Sequence, residues 1–103
     1  MARAWAVSSK GKTIGYMIFC PACGRGHLFY TDYPAKPQHN WTFNGDLEKP
    51  TFKPSMLVHS HKTQPRCHSH VTDGKIAFLN DCDHDMKGKT VDLPDCDEKF
   101  TDD

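Results

Sequence analysis

The fold is decided by residues 67–84, which read CHSHVTDGKIAFLNDCDH. Asp73 and Gly74 lie between two runs in which apolar and polar residues alternate. This pattern is the strongest local signal for a β-hairpin closed by a two-residue type I′ turn. With Asp73 and Gly74 as the loop, Thr72 faces Lys75, and every pair further out is fixed by counting. The segment therefore predicts an antiparallel hairpin with a defined register.

Side chains alternate across a strand, so this register divides the hairpin into two faces. Cys67 and Cys82 share one face as diagonal neighbours. His68 and Asp81 share the opposite face in the same relation, with β-carbons about 7–8 Å apart. Provided that no bulge interrupts the pairing, Arg66 lies opposite Asp81. We therefore expect an imidazole–carboxylate hydrogen bond between His68 and Asp81.

The size and composition indicate one small domain with a thin core. The chain has 103 residues, a hydrophobic fraction of 37% and a mean hydropathy of −0.68. A core of this size is expected to need an additional cross-link. We expect residues 1–94 to form the domain and the acidic residues 95–103 to form a flexible tail.

Charge and hydropathy argue against several classes of partner. The formal net charge is zero and the isoelectric point is near 7.0, so the sequence lacks the basic surface that binds nucleic acid or anionic membranes. No apolar run approaches the roughly 20 residues of a membrane span. The N-terminal residues MARAWA lack the apolar stretch of a signal peptide. A cytoplasmic protein is expected.

The remaining chain favours strands over helices. No window shows a convincing helical period, whereas short alternating runs end at Gly, Pro and Asn. Pro50 and Pro54 force an extended path before the apolar run that follows Ser55. The other expected strands cover residues 3–8, 13–19, 27–33, 41–43 and 88–94. The predicted fold is mostly β, a small single-domain antiparallel sheet stapled by a structural zinc site.

The cysteines provide that staple. Five cysteines and seven histidines are many for this length, and in the cytosol such enrichment indicates metal rather than disulfides. Cys20 and Cys23 flank Pro-Ala, a spacing that directs two thiolates at one ion. A redox motif is the competing interpretation, but such motifs normally open a helix. With Cys67 and Cys82 as the second pair, the predicted zinc ligands are Cys20, Cys23, Cys67 and Cys82.

Other assignments of the ligands stay open. His27 and His84 are plausible substitutes for a cysteine, and Cys96 lies in the acidic tail and is expected to be free. Cys67 and Cys82 are alternatively no more than small buried residues.

Two His-x-His pairs allow a different metal site. On strands, each pair projects to one face, as in β-barrel metalloenzymes. Such a catalytic site would draw on His59, His61, His68 and His70, with Asp81 or His84 completing it.

The hairpin face opposite the cysteines has the chemistry of a general base. A carboxylate such as Asp81 fixes the tautomer of His68 and supports its charge. Ser55, which follows Pro54, is the best candidate nucleophile, because the side chain of Ser69 should point to the metal face. The simpler alternative is that His68 is a satisfied structural histidine.

The ordered set of motifs resembles a family of small phage and prophage proteins of unassigned function. The resemblance covers roughly residues 14–94. It rests on CPACG at 20–24 with His27, PTFKPS at 50–55, CH at 67–68 leading to DGKI at 73–76, and DCDH at 81–84.

More distant relatives resemble serine peptidases encoded beside bacterial ubiquitin-like conjugation genes. The shared features are the Pro-Ser at Ser55, His68 with a glycine six residues later, and the cysteine-rich segment near Cys20. This resemblance implies Ser55 as nucleophile and His68 as base, whereas Asp81 as third member follows from the hairpin faces.

We therefore expect a zinc-stabilised serine hydrolase that acts on a peptide or isopeptide bond of a protein or peptide substrate, such as a ubiquitin-like protein. The alternative is a non-catalytic phage zinc-binding module that binds or inhibits a host protein.

Overall fold

The described part of the chain is built from β-strands. The computed structural model describes residues 2–33, 40–58 and 66–95, and within these ranges it contains no helix. No helical membrane span is therefore found in these residues. The eight strands are β1 (Ala4–Ser9), β2 (Lys12–Cys20), β3 (Arg25–Tyr30), β4 (Thr42–Phe43), β5 (Phe52–Val58), β6 (Cys67–Thr72), β7 (Lys75–Phe78) and β8 (Thr90–Asp92). The expectation of a mostly β fold is confirmed.

The strands form two antiparallel sheets rather than the single sheet expected. One sheet has the order β1-β2-β3 and the other the order β4-β5-β6-β7-β8. Alternation along the sequence identifies each strand, but it does not specify whether consecutive strands pair. The change of sheet falls between β3 and β4, where the backbone N–H of Trp41 donates to the carbonyl oxygen of Tyr30 at 2.7 Å.

The central hairpin has the predicted register. Thr72 pairs with Lys75, and the pairing continues outward to Ser69 with Phe78. Both turn residues are left-handed, with φ of 51° at Asp73 and 78° at Gly74, as a type I′ turn requires.

The pairing changes beyond β7. The backbone N–H of Leu79 still donates to the carbonyl oxygen of His68 at 2.9 Å. The chain then turns, with the N–H of Cys82 donating to the carbonyl oxygen of Leu79 at 3.2 Å. Asp83, rather than Asp81, consequently lies against Arg66, so the predicted Arg66–Asp81 pairing is wrong. The prediction assumed an unbroken strand, whereas the turn inserts two residues.

An aromatic stack joins the two sheets. The ring centroids of Phe29 on β3 and Phe52 on β5 are 4.3 Å apart, with an interplanar angle of 8°. Phe43 stacks on the other side of Phe52 at 4.8 Å. Three of the twelve buried apolar residues in the described ranges are cysteines. The aliphatic and aromatic core is therefore small, in agreement with the expected need for a cross-link.

The Gly74 turn provides a test of the packing around the hairpin. A β-carbon on Gly74 would lie 3.2 Å from both the carbonyl oxygen of Glu48 and the Cα atom of Lys49. Gly45 has a similar φ of 84° but open space around it. Gly45→Ala should lower the free energy of unfolding by about 1–2 kcal/mol through strain alone. Gly74→Ala should lower it by roughly 1 kcal/mol more, because crowding adds to strain.

Urea denaturation of the two variants measures this difference. Equal losses for Gly74→Ala and Gly45→Ala would show that the segment around Glu48 does not pack against the turn.

Candidate active site and metal centre

Ser55 lies where the pairing of β5 is interrupted. The register of β5 against β6 shifts between Phe52 and Met56, and Ser55 falls inside this irregularity. Its side chain is half-buried, and its carbonyl oxygen accepts a hydrogen bond from Nε1 of Trp41 at 3.3 Å. Ser55 is therefore outside the regular pairing of β5 with β6, and its backbone is instead hydrogen-bonded to the side chain of Trp41.

Ser55, His68 and Asp81 form a continuous hydrogen-bonded chain. Oγ of Ser55 is 3.0 Å from Nε2 of His68. Nδ1 of His68 is 3.0 Å from Oδ2 and 3.2 Å from Oδ1 of Asp81. The expected contact between His68 and Asp81 is formed, although the turn after Leu79, rather than continued strand pairing, brings Asp81 to the histidine. The structure thus brings together all three residues considered for a hydrolytic site.

The carboxylate determines which nitrogen of His68 carries the proton. The hydrogen bond with His68 holds the pKa of Asp81 below its usual range, so this side chain is ionised at neutral pH. An ionised carboxylate only accepts hydrogen bonds, and Nδ1 of His68 must therefore be the donor. Nε2 is then unprotonated in the neutral ring, and it accepts the hydroxyl proton of Ser55. This tautomer is the one that a general base acting on Ser55 requires.

The site is open to solvent. The side chain of His68 is 25% exposed and that of Asp81 is 46% exposed. Leu57 is directly opposite His68 in the β5–β6 pairing, and it is 52% exposed. Directly paired residues share a face of the sheet. His68 is therefore flanked by an accessible apolar side chain.

Cys20, Cys23, His27 and Cys67 form a second cluster behind β6. One ligand atom from each residue lies within 4.8 Å of all the others. Cys20 and His27 belong to the three-stranded sheet and Cys67 to the five-stranded sheet, so this cluster links the two sheets.

The donor set fits a tetrahedral metal ion. The sulfur atoms of Cys20 and Cys67 are 3.9 Å apart, close to the about 3.8 Å between two thiolates on one zinc ion. The backbone N–H of Cys23 donates to Sγ of Cys20 at 3.4 Å, which fixes the turn between them. Nε2 of His27 is buried without a hydrogen-bond partner among the described atoms. Three sulfur atoms and one imidazole nitrogen are a common structural zinc set.

The pKa values of the thiols shift in opposite directions. The hydrogen bond with Cys67 lowers the pKa of Cys20 to about 4. Burial raises the pKa of Cys23 to about 11. The pKa of Cys67 is also raised, by its hydrogen bond with Cys20 and then by burial. A lowered pKa favours the thiolate form of Cys20, which is the form that binds a metal ion.

Cys82 lies outside this four-residue cluster. It forms a separate group with Cys67 and His84, whose ligand atoms are likewise within 4.8 Å of one another. Among the described residues, the group of four thus contains His27, the alternative ligand, and not Cys82 of the predicted set. His27 follows the glycine-rich end of the Cys20–Cys23 turn. This closeness in the sequence is the feature that could identify it as a ligand.

The remaining candidates do not join either centre within the described ranges. Ser69 is 1% exposed and faces the core, as expected from its place on the same face of β6 as Cys67. His70 is exposed on the opposite face. His59 and His61 lie outside the described residues, and so does Cys96.

A protein-family model matches most of this chain. The family model described as "Bacterial ubiquitination-like system serine protease (BubE)" matches residues 2–79, about three quarters of the chain. The chain belongs to the BubE family. Comparisons with curated proteins and with solved structures gave no match. Ser55 and His68 lie inside the range matched to BubE, whereas Asp81 and Cys82 lie just beyond it.

The metal cluster predicts different roles for two similar histidines. His27 and His84 each have a buried Nε2 atom without a partner, but only His27 belongs to the four-residue cluster. His27→Ala should weaken zinc binding by at least about 10–100-fold, since it removes one of four ligands. His84→Ala should leave the affinity unchanged.

Competition with a chromogenic zinc chelator measures both affinities. A larger loss for His84→Ala than for His27→Ala would move the metal to the group of Cys67, Cys82 and His84.

Proposed function

We propose that this protein is a zinc-stabilised serine hydrolase that cleaves a peptide or isopeptide bond, with a ubiquitin-like protein as its substrate. The observation that carries this proposal is the chain of hydrogen bonds from Ser55 through His68 to Asp81, found in a member of the BubE family. In this assignment Ser55 is the nucleophile, His68 is the base and Asp81 orients the base.

The first half of the reaction uses the 3.0 Å contact between Oγ of Ser55 and Nε2 of His68. As Oγ attacks the substrate carbonyl carbon, its proton moves to Nε2. His68 becomes an imidazolium whose charge is balanced by Asp81. The proton on Nε2 then passes to the leaving amine, the carbon–nitrogen bond breaks, and the acyl group stays on Ser55 as an ester.

The second half returns the site to its starting state. With the amine gone, His68 is again neutral and its Nε2 takes a proton from water. The hydroxide attacks the ester carbon, and Ser55 leaves with the proton that His68 gives back. The exposure of His68 leaves the site accessible to this water.

The substrate assignment combines the site with the family. Nucleophilic serine chemistry at an accessible sheet face suits a carbonyl in an extended chain segment. The exposed side chain of Leu57, beside the base, offers an apolar contact next to the scissile bond. The family description refers to a ubiquitination-like system, so we place the scissile bond at the carboxyl end of a ubiquitin-like protein.

Zinc, in this proposal, supplies a structural cross-link between the sheets. Cys20, Cys23, His27 and Cys67 would hold it, and the predicted alternative of four cysteines would use Cys82 in place of His27. Either set leaves Ser55 and His68 free for the reaction.

A fluorophosphonate probe tests for an activated serine. Wild-type protein should be labelled, because Oγ of Ser55 attacks the phosphorus and displaces fluoride. Ser55→Ala should abolish labelling, and His68→Ala should slow it by about 10²–10⁴-fold, the usual contribution of a general base. Ser9→Ala is the matched control, since Ser9 is exposed at the end of β1, and it should label normally.

Native mass spectrometry of the same samples should find equal zinc content. An unlabelled wild-type protein that binds zinc would contradict the hydrolase and favour the non-catalytic binding module. Undiminished labelling of Ser55→Ala would contradict the assigned nucleophile.

Asp81→Asn tests the tautomer argument on a substrate. The amide can donate to Nδ1 and thereby place the ring proton on Nε2, where it no longer accepts from Ser55. Cleavage of a ubiquitin-like protein with a C-terminal extension should slow by about 10²–10⁴-fold in kcat, with KM little changed. Mass spectrometry of the products gives the rate and the cleavage position. A normal kcat in Asp81→Asn would remove Asp81 from the mechanism.

A further inference from the structure

Cys82 makes two hydrogen bonds to the backbone of His68. The N–H of His68 donates to Sγ of Cys82 at 3.2 Å. The thiol of Cys82 in turn donates to the carbonyl oxygen of His68, also at 3.2 Å. Cys82 is only 4% exposed, so water does not readily replace these bonds. One buried sulfur atom thus satisfies both polar backbone groups of this histidine.

These contacts distinguish Cys82 from Cys20. Sγ of Cys20 accepts a hydrogen bond from the backbone of Cys23 inside the four-residue cluster. Sγ of Cys82 instead contacts the backbone N and O atoms of His68, the histidine that is hydrogen-bonded to Ser55 and Asp81.

The competing use of Cys82, as a ligand with Cys67 and His84, offers three ligand atoms, whereas a structural zinc ion binds four. Nδ1 of His84 also accepts a hydrogen bond from the backbone N–H of Met86 at 3.3 Å. The four-residue cluster is therefore the better metal site, and it leaves Cys82 for another role.

Asp83 anchors the other side of the same turn. The backbone N–H of Arg66 donates to Oδ2 of Asp83 at 3.0 Å. The N–H of Asp83 donates to the carbonyl oxygen of Arg66, also at 3.0 Å. Asp81 is therefore followed directly by two residues that are both hydrogen-bonded to the start of β6.

We propose that Cys82 and Asp83 are positioning residues that hold the turn carrying Asp81 against β6, and so fix the hydrogen bond between Asp81 and His68. The inference rests on the proposed function for its catalytic consequence, but the hydrogen bond itself exists independently of any reaction. The hydrogen bonds of Cys82 fix the position of the His68 backbone, and those of Asp83 fix the distance between the turn and the start of β6. The carboxylate of Asp81 then reaches Nδ1 without the support of a continuous strand.

The test compares Cys82→Ala with Cys82→Ser in the full chain. A serine hydroxyl can replace both hydrogen bonds, whereas alanine replaces neither. Two readouts are used: the downfield proton resonance of Nδ1–H in His68, and the rate of labelling by the fluorophosphonate probe. Zinc content by native mass spectrometry reports whether the metal cluster is intact.

We expect Cys82→Ala to lose or broaden the His68 resonance and to slow labelling by about 10–100-fold, the cost of misplacing a catalytic group. Cys82→Ser should keep the resonance and most of the rate. Both variants should retain zinc. An unchanged resonance in Cys82→Ala, or loss of zinc in Cys82→Ser, would overturn the inference.

Asp83→Ala provides a second variant, which removes the acceptor of the Arg66 N–H and leaves the core intact because Asp83 is exposed. It should shift the resonance and slow labelling, while Asp85→Ala, at an exposed residue two positions later, should do neither. Equal behaviour of these two variants would count against the positioning role. If wild type shows the resonance but no labelling, the proposed function fails, and the effects of Cys82→Ala and Asp83→Ala on the resonance still decide this inference.

Discussion

The alternation of side chains along β6 is the constraint on which both centres depend. Cys67 points into the space between the sheets, and the next residue, His68, points to the outer face. A period of two allows neighbouring residues to serve two sites without contact between the sites. Any shift of β6 by one residue would exchange the faces and destroy both centres at once. The register set by Asp73 and Gly74 therefore determines which residues meet in each of the two clusters.

A metal ion in the four-residue cluster would stabilise this arrangement. Phe29 and Phe52 join the sheets through stacked rings, whereas the buried side chains near Cys67 include Cys20, His27 and Cys82. A metal ion bound by Cys20, Cys23, His27 and Cys67 would tie β6 to the three-stranded sheet beside His68. Its binding free energy would then contribute directly to the stability of the strand that carries His68.

The sequence was informative where the interactions are local. The hairpin register could be predicted because an Asp-Gly turn and a period of two leave few alternatives. The contact between His68 and Asp81 was also predicted, but it forms through the turn after Leu79 and not through the continued strand pairing that the prediction assumed. Ser55 could be chosen as a candidate from its place after Pro54, and the resemblance to known peptidases supported that choice. Its position next to His68 depends on pairing between distant strands, which the sequence pattern does not specify. The exchange of Cys82 for His27 in the metal cluster, and the division into two sheets, also depend on distant contacts. Alternation in the sequence does not specify either of them.

The solvent exposure of the Ser55–His68–Asp81 chain weakens the electrostatic attraction between its charged groups. Asp81 is close to half exposed, so water screens its attraction for an imidazolium and the pair adds little to stability. The sign of that small contribution follows from the lowered pKa of Asp81. It is present above the usual pKa of the carboxyl and is lost as the pH falls through the lowered value. At neutral pH the carboxylate therefore acts mainly by orientation, keeping the proton of His68 on Nδ1 and its lone pair toward Ser55. Orientation demands a fixed backbone, and this explains why the turn that follows Asp81 is bonded so closely to β6.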